Sequence, residues 1–181
     1  KSNSSIVNDI QDHSPIYIFF ETKGKDTIAE VNRKNSIIST NWILNIDKRL
    51  PLRLVIPEIM KLQQKKREEK AHKNEAAQNY YSYADTIGKN MAFIPFTEVY
   101  YKMEKPKTGL IVFFDKNNEI SVNGLAIKRA YFNVFFKNVK INLNTIRFAF
   151  DANMTYGMYI QNKILIESIE KQSDSIEEFI Y

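Results

Sequence analysis

Asp115, Glu119 and Asp151 are the residues whose type and spacing come nearest to chemistry, each standing at the end of a short apolar segment. Carboxylates at neighbouring strand ends can pass a proton as general acid and base. The same placement suits turn formation, because an Asp side chain accepts from the amide two residues further on, and turn forming is the reading the pattern favours. His13 and His72 are the only histidines. Both lie in polar segments, without the H-x-x-x-H or H-x-E spacing that would hold a metal. Gly24, Gly88, Gly109, Gly124 and Gly157 are isolated, so no glycine-rich loop is present to cradle a phosphate. No catalytic residue, cofactor or metal ligand is expected, and the sequence reads as a non-enzyme.

The elements that carry these residues belong to a folded chain. Its 181 residues are 44% hydrophobic and include 10 Tyr and 12 Phe, a composition suited to a buried core and unlike that of disordered chains. The formal charge is +5, but lysines are interspersed with acids rather than gathered into one patch, so no nucleic-acid partner is expected. Cysteine is absent, which removes disulfides and thiol chemistry and suits an oxidising compartment. No apolar run approaches the roughly 18 residues of a membrane span. The chain begins at Lys1 rather than Met, and an upstream signal peptide or anchor is the expectation. The tripeptides Asp26-Thr27-Ile28, Asp85-Thr86-Ile87 and Asp174-Ser175-Ile176 match an O-glycosylation acceptor pattern of some bacterial exported proteins and are consistent with export.

Read in order, residues 1–14 are a polar, flexible tether. Residues 15–103 form a β-meander followed by a long helix: strands over 16–20 and 27–31 about a turn at Gly24, a third strand within 36–47, and a helix starting at Pro57. Residues 63–78 continue as a solvated helix or a mobile excursion, and Tyr80, Tyr81, Tyr83 and Ile87 precede a helix end at Gly88. Pro95 demotes the next segment to an edge or loop, residues 97–102 form a strand, and 104–108 are a joint. The best-patterned stretch follows. Strands over 110–114 and 119–122, a helix over 126–138, a strand over 146–150 and a helix beginning near Thr155 are expected, and residues 174–181 are a strand, a short helical turn or a frayed end. The fold class is α+β: a small mixed sheet with two helices packed on one face, preceded by a β-rich region and a long polar helix.

The run I-V-F-F-D-K-N-N-E-I-S-V-N-G-L-A-I, and the later F-A-F-D-A-N-M-T-Y-G-M-Y-I-Q-N-K-I-L-I-E, resemble the periplasmic domain of the ExbD/TolR family of biopolymer transport proteins. The family's hydrophobic-x-[VI]-N-G element falls on Ile120 to Gly124. Its strand ending in an acid before a tyrosine-led helix falls on Asp151, Tyr156 and Tyr159. The match covers about residues 109–170, and residues 14–103 are far longer than the family's usual tether between anchor and domain. The resemblance implies a domain on the periplasmic face of the bacterial inner membrane, held by an upstream anchor. It also implies a homodimer, an ExbB/TolQ-like channel subunit and a TonB-like protein as partners, and a part in passing proton-motive energy. Partner contacts are then expected at Asn123 and Gly124 and at Asp151, Tyr156 and Tyr159. Two alternatives stand beside this: a free exported module that holds a ligand or protein partner, and a divergent α+β hydrolase.

Overall fold

A computed structural model describes residues 9–138, 145–169 and 176–181, and among these residues the chain forms two mixed sheets and three α-helices. The fold class is α+β. The chain divides into two compact units, Lys1–Leu50 with Leu54–Thr97, and Pro51–Arg53 with Glu98–Tyr181. Of the tether expected over residues 1–14, residues 1–8 lie outside the described residues, whereas Ile10 and Ser14 are buried parts of the first unit.

In the first unit, β1 (His13–Lys23) and β2 (Asp26–Asn32) form an antiparallel hairpin whose strands meet at Lys23 and Asp26. Gly24, at φ +65°, supplies the left-handed first position of the two-residue turn. β3 (Asn41–Ile46) then runs parallel to β1 on its other side, so the expected meander gives way to the order β2-β1-β3-β4-β5. The loop that carries the chain across is fastened from inside. Ser14 Oγ lies 2.6 Å from Thr40 Oγ1 and accepts from the Ile37 amide, and the Trp42 indole N–H donates to the Ile37 carbonyl. Trp42, Ile43 and Leu44 are buried in succession, as suits a strand inside a parallel arrangement rather than a half-wet hairpin arm.

α1 (Leu52–Glu68) begins five residues before the expected start at Pro57. Its first amides, of Leu52 and Arg53, donate to the carbonyls of Met154 and Ala152. That anchoring forms a first turn for which the sequence shows no cap, and Pro57 then removes one i to i−4 bond further in. The long polar helix expected over 63–78 ends at Glu68, and polar side chains of its last turns serve as ties. Gln63, nearly fully buried, donates to the Phe96 carbonyl, and Arg67 donates to the Thr97 carbonyl. Tyr80, Tyr81 and Tyr83 lie in β4 (Asn79–Asp85), parallel to β3, not in a helix. Burial of Asn79 and Tyr81 follows the strand period of two. β5 (Asn90–Pro95) closes the sheet as an edge strand ending at Pro95, in line with the demotion expected there.

The second unit's sheet has the order β6-β11-β10-β7-β8-β9, from β6 (Val99–Lys102), β7 (Leu110–Phe114), β8 (Ile120–Val122), β9 (Leu125–Ile127), β10 (Ile146–Phe150) and β11 (Ile176–Ile180). β6, placed by the sequence before the joint, is hydrogen-bonded into this sheet, and the division falls between Thr97 and Glu98. The expected helix over 126–138 is shorter. Asn123 and Gly124, both at positive φ, turn the chain into β9, a 3-10 helix covers Arg129–Tyr131, and α2 (Phe132–Asn138) follows. The carboxy-terminal residues form a strand, Ile176–Ile180, paired in parallel on both sides with β10 and β6. α2 and α3 (Tyr156–Glu167) share one sheet face: Phe114 and Phe150 stack at 5.2 Å, Phe132 of α2 lies 6.0 Å from Phe114, and Tyr159 of α3 lies 5.0 Å from Phe150.

The two units repeat one connectivity. Each has an antiparallel hairpin (β1-β2, β7-β8), a third strand parallel to the hairpin's first (β3, β10), and a helix leading to a further parallel strand (α1 to β4, α3 to β11). The third strands end alike. Asp47 N–H donates to Ile18 O and Asp151 N–H to Phe114 O, and Ile18 and Phe114 are the last residues paired with β3 and β10. The turns match too: Arg49 N–H donates to Asp47 Oδ1 and Asn153 N–H to Asp151 Oδ1, while Leu50 N–H donates to Asp47 O and Met154 N–H to Asp151 O. The helices then bury the same positions, Leu52, Val55, Ile56, Ile59 and Leu62 in α1, and Tyr156, Tyr159, Ile160, Lys163 and Ile166 in α3.

Candidate functional site

Lys163 is the residue of that buried series that departs from an apolar stripe. It projects from α3 one turn after Tyr159, and its side chain is 2% exposed; Glu178 of β11 is 1% exposed. Lys163 Nζ donates to Glu178 Oε1 at 2.7 Å, and Tyr159 OH donates to Glu178 Oε2 at 2.7 Å, so both carboxylate oxygens are engaged. Tyr101 of β6 brings its hydroxyl to 3.0 Å from that of Tyr159. Helix α3, β11 and β6 are thereby joined through one polar cluster inside an apolar core. Tyr156 lies buried one turn earlier, and burial, with Tyr101 adding to it, raises its hydroxyl well above the ordinary tyrosine pKa, which keeps it neutral.

A buried, charge-compensated cluster of this kind fixes the position of the elements it joins. Removing a lysine and a glutamate from water is unfavourable, and their attraction with good hydrogen bonds offsets it only in a closed geometry. The arrangement therefore holds the helix and the two strands in one register. Arg129 makes a second polar join, donating to Asn162 Oδ1 at 2.7 Å and to Asn118 Oδ1 at 3.4 Å. Its partial burial lowers its pKa.

The contact positions expected from the sequence separate into two groups. Asn123 and Gly124 are exposed. Asn123 pairs with Ile111 twice, its N–H donating to the Ile111 carbonyl and its Oδ1 accepting the Ile111 amide, each at 2.9 Å. Asp151 is half-buried and accepts from the amides of Asn153 and Lys116. Tyr156 and Tyr159 are core residues, 3% and 0% exposed, and their side chains present no surface to a partner. Asp115 Oδ1 accepts from the amides of Asn117 and Glu119, the turn-forming role expected of it. His13 Nδ1 lies 2.9 Å from the Ile10 carbonyl, and both histidines are at the surface.

Lys163 was not among the candidates drawn from the sequence, although a lysine at three-four spacing from Tyr156, Tyr159 and Ile160 needs a buried acid once that side faces the core. The signal for that acid was Glu178, inside the short apolar run that ends the chain. In the first unit, Lys66 was read as part of a solvated segment. Its amine instead donates to the Thr40 carbonyl and Asn79 Oδ1, each at 2.9 Å, and lies 4.6 Å from the Trp42 ring centre. Burial lowers its pKa to about 8.

Among the described residues, no group of three or more His, Cys, Asp or Glu is placed to hold a metal ion, and no helix is long and apolar enough to cross a membrane. Comparison with protein-family models, curated proteins and solved structures finds no match.

Proposed function

We propose that this chain is a non-catalytic, protein-binding domain of the ExbD/TolR kind, carried on the periplasmic face of a bacterial inner membrane by an upstream anchor. In this reading it pairs with a second copy, associates with an ExbB/TolQ-like channel subunit and contacts a TonB-like protein. The observation that carries the reading is the order of elements in the second unit. A hairpin whose second strand leads into Asn123-Gly124, a helix reached through the short added strand β9, a strand ending before Asp151 and a tyrosine-led helix follow one another, and apart from β9 this is the order the resemblance implies. The buried cluster supports it, since Lys163, Glu178, Tyr159 and Tyr101 stiffen a module that would transmit force or position and offer no atom to a solvent-borne substrate.

The test is isolation of the full-length protein from its native membrane in mild detergent. The expected outcome is stoichiometric recovery of a multi-span channel subunit, lost when the upstream anchor is removed. Recovery of the protein alone, from the soluble fraction, would overturn the proposal in favour of a free exported binding module.

A further inference from the structure

Among the described residues, the first unit's sheet ends on β2, whose one strand neighbour is β1. The two-residue turn at Gly24 makes Lys23 and Asp26 a hydrogen-bonded pair, as are Glu21 and Ile28, and Phe19 and Glu30, every second pair along the ladder. The main-chain groups of Thr27, Ala29 and Val31 therefore point away from β1, and they make no hydrogen bond to another described residue. β3 covers the other side of β1 only as far as Ile18, so beyond that point the hairpin is a two-stranded ribbon. Such a ribbon is marginal in water by itself.

The repeat shows what belongs at this place. In the second unit the equivalent strand, β8, is covered on its outer side by an antiparallel strand of the same chain, β9. In the first unit the chain turns away after β2 into the loop that leads to β3. Among the described residues, an antiparallel extended segment is thus what β8 has on its outer side and β2 lacks. The strand's own sequence identifies one that fits. Its outward-facing positions, Thr27, Ala29 and Val31, are symmetric about Ala29, whose small side chain allows two strands to meet at a two-fold axis. Apart from Glu30, aliphatic and β-branched residues fill the middle of the strand, with no proline or lysine to guard the edge.

We propose that a second copy of this chain occupies the edge, the two β2 strands running antiparallel with Ala29 opposite Ala29 and Thr27 opposite Val31. The two five-stranded sheets then become one continuous sheet, with the ribbon supported from both molecules. The proposal rests on the reading that the chain pairs with itself, and it names the surface.

Sedimentation equilibrium of the 181-residue chain should give a dimer. Ala29→Pro should give a monomer with unchanged circular dichroism, because that amide faces outward and the β1-β2 ladder keeps its bonds. Ala29→Lys, which sets two like charges face to face, should also give a monomer and does not depend on proline being tolerated. The chain has no cysteine, so Ala29→Cys should form a disulfide-linked dimer on mild oxidation, whereas Ala126→Cys on β9 should not. A wild-type monomer at the highest soluble concentration would overturn the proposal. A dimer that persists in both Ala29→Pro and Ala29→Lys would overturn the surface while leaving self-association standing. Channel-subunit recovery from membranes, read separately with Ala29→Lys, reports on the functional reading alone.

Discussion

The two units share a connectivity, a turn and a buried helical stripe, and they differ in what fills that stripe. In the first, Val55, Ile56, Ile59 and Leu62 present only hydrocarbon, and the polar groups that the helix contributes, Gln63 and Lys66, reach main-chain carbonyls or the Asn79 amide near strand ends. In the second, Lys163 stands where Ile59 stands, and it draws Glu178, Tyr159 and Tyr101 into the core. Apolar packing stabilises without prescribing orientation, while a closed ion pair is satisfied in one geometry only. The difference teaches that the first unit is built for stability and the second for a defined position of α3 against β11 and β6.

The comparison breaks most sharply at Lys163. Lys163→Met leaves Glu178 buried without its counter-charge and should destabilise the second unit by about 3 to 5 kcal/mol, read by urea unfolding. Lys163→Met with Glu178→Met should recover most of that loss, and failure of the pair to recover would mean that the cluster is not closed on itself. Ile59→Ala at the matching position should cost the first unit about 2 to 5 kcal/mol by loss of burial and a cavity, with no second-site rescue by removing a charge. The matched turns should respond alike. Asp47→Ala and Asp151→Ala each remove a side-chain bond to the amide two residues on and should each lower stability by about 1 kcal/mol; unequal losses well beyond that would separate the two turns.

The smallest effect expected is the pH response of Lys66, present in the first unit only. Its folded pKa is about 8, and an unfolded lysine titrates near 10.4. Between those values the unfolded chain holds a proton that the folded chain has released, so stability should rise with pH from about 8 towards 10. Burial raises the hydroxyls of Tyr83, Tyr156 and Tyr181, so above about pH 10 the unfolded chain ionises first and stability should fall. Lys66→Met should flatten the rise, and an unchanged profile would assign it to another group. Solvent around a half-exposed amine keeps the amplitude small.

Elements with a clear period or a turn residue were legible in the sequence. The hairpins at Gly24 and at residues 115–119, β10 and α3 lie where alternation, turn chemistry and three-four spacing place them. What was not legible depended on distant partners. The start of α1 is set by carbonyls about a hundred residues away, at Ala152 and Met154. The parallel pairing of β3 with β1 is supported by a bond between Ser14, read locally as tether, and Thr40, read within the third strand. Tyr80, Tyr81 and Tyr83 follow a helix-forming segment, and their strand period spans too few residues to outweigh it. Of the candidate contact residues, Asn123 and Gly124 were legible as a corner. Tyr156 and Tyr159 were legible as leading a helix, and their side chains lie on its inner side.

That the chain is one module written twice is tested most directly by through-hydrogen-bond scalar couplings in the labelled protein. Couplings should connect the Asp47 amide nitrogen to the Ile18 carbonyl carbon, and the Asp151 amide nitrogen to that of Phe114. Finding both would place β3 and β10 parallel to the first strands of their hairpins at the same point. A coupling at Asp151 without its counterpart at Asp47, with the residues of β3 coupled to β2 instead, would contradict the repeat.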